Sequence, residues 1–456
     1  MKKNQYPDYK SASGWNKLLP KKTSNPQLNG NISSDVVVIG AGYTGVAAAK
    51  RWYEIAPQNE IIMIDASTAG EGSSGRNSGF LVEIALANDI SSSAAKKLMQ
   101  CNKLISDTLV KIQEDASKSS IDCDIQKTGV FRVAASAIGV KSLNKYIKFL
   151  ESTNLDFELF NNKELQETLG TKYYQQGLYT PHCFLAQPAA LIRALVENLP
   201  SSISYYENTP ALKCLKSKSK WIIKTPNGEI KTKKVIIANN AFCGKLGIGN
   251  AYLATIYTYA GLTEQLSQKN QELLGNNNNW GILPTHRLGS TLRRTLDGRL
   301  MIRSLYHYEN EENKDLVAIQ LLDQLRKRYP QFPKLNFETV WGGATGLTLN
   351  GSWLWGEYDK NLYQKLIDLR NLVSTQKDLR KYSKKLNEAE IEITLFNSKI
   401  VNELASKFID EIDFVGFHGQ TIFHDPVKKI SKQLGEANLL SQLVKKRIIY
   451  DFRQED

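Results

Sequence analysis

The chain has 456 residues, with 41% apolar, 9% aromatic and 23% charged side chains, enough for two or three domains with large cores. A net charge of +13 raises nucleic acid or an anionic surface as partners, but the lysines are spread out. No basic run is interleaved with aromatics, so nucleic-acid binding is not expected. No run of about 18 apolar residues could span a membrane, and Met1–Gln5 leads into polar sequence rather than a secretory signal. The five cysteines (Cys101, Cys123, Cys183, Cys214, Cys243) are scattered without C-x-x-C spacing and read as reduced thiols of a cytoplasmic protein.

Residues 1–34 are polar and read as an extended arm. A strand is expected at Asp35–Ile39, then a glycine turn, a helix from about Gly45 to Ile55 stopped by Pro57, and a strand through Glu60–Asp65. Both strands are continuously apolar, as parallel strands buried on two faces are. Helical periodicity extends over 91–116. A hairpin follows at Trp221–Thr225 and Glu229–Lys233 around Pro226-Asn227-Gly228, with a separate buried strand at Val235–Ala238. The character changes around 352–366. Over 376–408, Leu379, Tyr382, Leu386, Ile393, Phe396, Ile400 and Leu404 recur at helical spacing, one apolar stripe on a single long helix.

Gly40-Ala41-Gly42-Tyr43-Thr44-Gly45 fits G-x-G-x-x-G between the first strand and its helix, and Asp65 ends the next strand twenty residues after Gly45. Each position has a physical task. Gly40 makes the tight turn, Gly42 lets backbone approach a pyrophosphate, and Gly45 allows close helix–strand packing. The helix N-terminus, with Tyr43 and Thr44, offers N–H groups to phosphate, and Asp65 would accept from ribose hydroxyls. A second loop, Gly70–Phe80, contains Ser74, Gly75, Arg76, Asn77 and Gly79 and can bring many backbone N–H groups against a planar, anionic cofactor.

The spaced pair Val36–Gly45 and Gly72–Phe80 resembles the D-amino-acid-oxidase-like flavoenzymes, especially their gamma-glutamylputrescine oxidase type. Gly177–Pro181, Gln187–Leu191, Thr291–Arg299 and Trp341–Gly346 resemble later family segments. The resemblance implies an α/β fold, with an FAD-binding Rossmann-like domain and a flanking antiparallel-sheet substrate domain interleaved over 35–356. It implies FAD as cofactor and a small-molecule amine as substrate. The amine, arriving neutral, passes hydride to the flavin, and no base is demanded. His286, Arg287 and Arg303 lie in segments the family places near the substrate. After Gly346 the family runs into a glycine-rich strand–turn–helix that closes the FAD domain. Gly351–Gly356 could be its approach, but the turn does not follow.

A different resemblance covers 357–456. His418-Gly419-Gln420-Thr421, Gln433-Leu434-Gly435 and Asp451-Phe452-Arg453 resemble anhydro-N-acetylmuramic acid kinases of the actin/sugar-kinase superfamily. The resemblance assigns Asp456 to the base that activates water. His418 and His424 have no third ligand close in sequence, so no metal site is expected. Phosphoryl transfer needs a nucleotide cradle and a metal site, and the family's phosphate loop has no counterpart here. An FAD-dependent amine oxidoreductase, a joined product with neither activity, and a sugar kinase or sugar-binding module therefore stand as three readings.

Overall fold

The computed structural model describes residues 7, 9–84, 92–217, 219–248, 253–285, 289–348, 359–407, 414–425 and 430–450. The chain divides into two compact units, residues 1–349 and 350–456.

In the first unit, the continuous apolar runs become buried strands. β1 (Ile32–Ile39) leads into α1 (Tyr43–Ile55), and β2 (Ile61–Ile64) lies parallel beside β1. Side chains alternate along a strand. Val38 and Met63 therefore enter one core with Val46 and Ala49 of α1, while Val37, Ile39, Ile62 and Ile64 enter another. Burial on both faces is why neither strand shows polar alternation. On the other side of β1 runs β3 (Gly228–Ile237), parallel and in register from Ile32↔Ile230 to Ile39↔Ile237. Strand Ile203–Tyr206 closes one edge of this six-stranded sheet, and the ribbon Lys213–Ser217 and Lys220–Thr225 forms the other.

One expectation is corrected here. The hairpin return and the strand at Val235 are a single ten-residue strand. Its first half pairs with the ribbon as far as Thr232, while pairing with β1 carries it on to Ile237.

The flanking sheet has eight strands, including β4 (Leu253–Thr263), β5 (Leu300–Tyr308) and β6 (Phe337–Thr348). It is antiparallel except where Val130–Ala134 runs parallel to Trp280–Pro284. Ile282, Leu292, Leu300 and Ile302 pack in its core with Val317, Leu321 and Leu325 of helix Lys314–Arg328. Between β4 and β5 the register shifts, because Thr258 faces Tyr306 but Tyr259 faces Ser304. Leu305 is the extra residue, with φ of 61°.

The extended arm is also corrected. Ser13 caps a short helix, Gly14–Lys17, by accepting from Asn16 N. Trp15 is 1% exposed and Leu28 is 2% exposed. The polar residues that suggested an arm are hydrogen-bonded onto the body, and β1 already opens at Ile32.

The second unit has helices Lys360–Leu372 and Gln376–Lys381, then α2 (Ser383–Lys407). The single long helix is therefore two. Thr375 and Asp378 form a capping box on the shorter one, Tyr382 leaves helical geometry (φ −105°, ψ 18°), and α2 restarts with Leu386 N donating to Tyr382 O. The apolar stripe still finds one core, Leu379, Tyr382, Leu386, Ile393 and Phe396 packing with Leu362, Leu366 and Leu369. Hairpin Gln420–Asp425 and Ile430–Leu434 adds Ile422 and Leu434 to it. Phe414–Phe417 pairs parallel with Arg447–Tyr450, and helix Ala437–Val444 packs nearby.

Candidate cofactor cleft

Because β1 and β2 end side by side at Ile39 and Ile64, the loops that follow them meet. Gly40 turns the chain with φ of 105°, and a Cβ on Gly45 would lie 1.8 Å from Gly40 O. Only glycine at 45 lets α1 start against that turn. Gly42 caps α1 without a side chain, and Tyr43 N donates to Ser74 Oγ at 3.1 Å. A Cβ on Gly42 would come within 2.8 Å of that hydroxyl. The positive end of the helix dipole thus faces the second glycine-serine loop.

Asp65 accepts from Ala41 N at 2.7 Å and from Ser67 N at 2.9 Å. Burial pushes its pKa above the usual carboxylate value, against the pull of those two amides, and the Glu207 carboxylate adds to the rise. Glu207 is itself fully buried and accepts from Ala69 N at 2.8 Å and Asn25 N at 2.6 Å.

Gly40, Gly42, Tyr43, Thr44, Asp65, Ser74 and Gly75 line one cleft. Gly45 stands behind it as a packing residue. Arg76, Asn77 and Gly79, expected in the loop brought against the cofactor, do not line it. The Arg76 guanidinium is buried and donates to Gly342 O (2.9 Å), Ser11 O (2.8 Å) and the Glu71 carboxylate (3.1 Å). It is a tie between three chain segments. The Asn77 side chain donates to Ser74 O and accepts from Gly79 N, holding the loop's shape. Gly79 has φ of 79°, and a Cβ there would lie 2.2 Å from Ala186 O.

Arg303 sits on β5, outside the cleft lining, and donates to Tyr306 Oη at 2.7 Å. His286, Arg287 and Asp456 lie outside the described residues. Sequence reasoning missed Tyr9, Ser73, Asn239, Asn240 and Phe242, all of which line the cleft. Asn240 takes φ of 50° and donates to Ser73 Oγ and Ala344 O. The doubled asparagine after a buried strand was the available signal, since Asn tolerates that conformation. Asn239 Oδ1 is buried without a hydrogen-bond partner, an acceptor suited to a ligand's hydroxyl or amine. Among the described residues no group of three His, Cys, Asp or Glu could hold a metal, and no helix is long and apolar enough to cross a membrane.

A parallel βαβ unit, whose glycine turn and helix N-terminus open on a cleft flanked by a mostly antiparallel sheet, defines a dinucleotide-binding fold. The profile described as FAD dependent oxidoreductase (DAO) matches residues 35–365, and the chain belongs to that family. Its cofactor is FAD, and the cleft could hold it: it offers a helix N-terminus to a pyrophosphate, the Asp65 carboxylate to a ribose and an unpaired acceptor at Asn239. A second profile, anhydro-N-acetylmuramic acid kinase, matches residues 350–456.

The gamma-glutamylputrescine oxidoreductase of Escherichia coli (strain K12) is 26% identical over 384 residues, covering 77% of this chain and 82% of that protein. The anhydro-N-acetylmuramic acid kinase of Pelagibacter ubique (strain HTCC1062) is 49% identical over 100 residues, 22% of this chain. The match spans only 27% of that kinase's length. Among solved structures, glycine oxidase from Geobacillus kaustophilus superposes with a TM-score of 0.59 at 16% identity, over 72% of this chain and 86% of that one. Both resemblances read from the motifs hold.

Proposed function

We propose that this FAD-dependent oxidoreductase acts on a small amine or amino acid in the cytoplasm, the FAD body running over 35–356 and the kinase-like fragment over 357–456. The observation that carries the reading is the convergence of the glycine turn, Asp65 and the Ser73–Gly75 turn on one cleft. The substrate class follows the E. coli relative, which is named for an amine. In this reading Gly40–Thr44 and the α1 N-terminus hold the pyrophosphate, and Asp65 accepts from the ribose. Bound FAD supplies the hydride acceptor.

The chain's own task is then to bind and orient the substrate's nitrogen-bearing carbon and to keep water out. An amine that arrives neutral needs no side-chain base. On a regular strand residues 303 and 306 point to opposite faces. The extra residue Leu305 brings both to one face, so Arg303 meets Tyr306. That pair is the candidate contact for an anionic or polar group of the substrate.

The test is anaerobic mixing of the FAD-loaded protein with a panel of amines, amino acids and hydroxy acids. Bleaching of the flavin by amines supports the reading, and bleaching by hydroxy acids alone overturns it. No phosphoryl transfer is assigned to 357–456, because the match covers about a quarter of the kinase (27%) and a nucleotide cradle is indispensable to that reaction.

A further inference from the structure

We propose that residues 9–17 form a strap that is a working part of the cofactor site, with Ser13 and Trp15 as positioning residues for the glycine-serine loop. The proposal rests on the FAD reading above. Three consecutive carbonyls of that loop are held by side chains from outside it. Ser13 Oγ donates to Gly75 O at 2.7 Å, Trp341 Nε1 to Arg76 O at 3.0 Å, and Trp15 Nε1 to Asn77 O at 2.8 Å. The donors are buried, Ser13 at 0% exposure and both tryptophans at 1%.

A trans peptide is planar, so each N–H points opposite to its C=O. Pinning these carbonyls therefore aims the amides of residues 76, 77 and 78 away from the groups that pin them. The Arg76 amide closes the short turn onto Ser73 O at 3.2 Å. The planes carrying the Asn77 and Ser78 amides are set by Trp341 and Trp15, and Gly75, whose carbonyl Ser13 holds, lines the cleft directly.

The strap is fixed in turn by several bonds. Ser13 N donates to the Glu71 carboxylate at 3.0 Å, Gln187 Nε2 to Trp15 O at 2.8 Å, and Arg76 Nη2 to Ser11 O at 2.8 Å. A Cβ on Gly14 would lie 2.3 Å from the Trp341 ring, so the strap lies flat on that indole. At its front Tyr9 lines the cleft, with its ring 3.7 Å from the Arg76 guanidinium and its hydroxyl 3.3 Å from Ser73 Oγ. One segment thus walls the cleft and sets the loop beside it. A site holds its ligand tightly when a supporting shell locks the groups that touch it.

The experiment uses full-length Ser13→Ala, Ser13→Thr and Trp15→Phe proteins. FAD affinity is titrated by quenching of flavin fluorescence, and the visible spectrum of the bound flavin is recorded beside far-UV circular dichroism. Each loss of one pinning hydrogen bond is expected to raise the Kd about 5- to 10-fold and to alter the flavin band shape. Ser13→Thr, which keeps the hydroxyl, should restore the wild-type spectrum. Unchanged affinity and spectrum in Ser13→Ala and Trp15→Phe would overturn the strap while leaving FAD as cofactor. Weaker binding with an unaltered spectrum and no rescue by Ser13→Thr would reduce the segment to a structural tether, also against the proposal. Wild-type protein that takes up no FAD would overturn both readings at once.

Discussion

Replacing Asp65 with alanine removes an acceptor that serves two masters. In the protein alone the carboxylate holds Ala41 N and Ser67 N, at 2.7 and 2.9 Å, and so fixes the turn carrying Gly40 and Gly42. With FAD bound it would also accept from the ribose. Hydrogen bonds to a charged group contribute about 1.5–3 kcal/mol each, and part of that returns when water solvates the freed amides. We therefore expect Asp65→Ala to weaken FAD binding by about 1–3 kcal/mol, roughly 5- to 150-fold in Kd. The assay is titration of apo-protein with FAD. Burial raises the Asp65 pKa, so folded apo-protein holds that proton more tightly than the unfolded chain. Stability from this group is then fully present below the unfolded pKa and lost as pH rises through the folded one. Ribose hydroxyls favour the carboxylate, so FAD affinity should climb over the same interval, and Asp65→Asn should flatten that climb. Unchanged affinity in Asp65→Ala would refute the assignment.

Arg76→Met should lower the stability of the first unit by about 2–4 kcal/mol, because it takes the donor from the Gly342 and Ser11 carbonyls and the cation from the Glu71 carboxylate, which keeps Ser13 N as a donor. Urea unfolding followed by tryptophan fluorescence checks this, and a loss below about 1 kcal/mol would contradict it. Burial pushes the Cys123 thiol up to about 11 and Cys183 up to about 12. Thiolate grows about tenfold per pH unit, so at pH 8 both should resist a disulfide reagent until the protein unfolds; equal rates at all five thiols would contradict this.

The parts legible in the sequence are those whose chemistry is local. Gly40, Gly42, Gly45 and Asp65 could be placed because a buried strand, a turn and a helix follow one another within a few residues. The eight-stranded sheet and the bulge at Leu305 were not legible, since strand order and register are set by pairing between distant segments. Arg76 was misread for a similar reason. It was placed in the loop that meets the cofactor, but the partners of its guanidinium, Ser11 and Gly342, lie far away in the chain. The strap was hidden by composition, because the burial of Trp15 depends on Trp341 rather than on its polar neighbours. At Tyr382 helical periodicity continued across a break, since an apolar stripe records the buried face and not the backbone.

The most direct test of the central claim is the cofactor content of the purified full-length protein, before and after incubation with FAD and removal of the excess. The expected result is a yellow protein that retains about one flavin per chain, in keeping with its single dinucleotide motif, and that releases FAD on denaturation. A folded protein that stays colourless after incubation with FAD would contradict it.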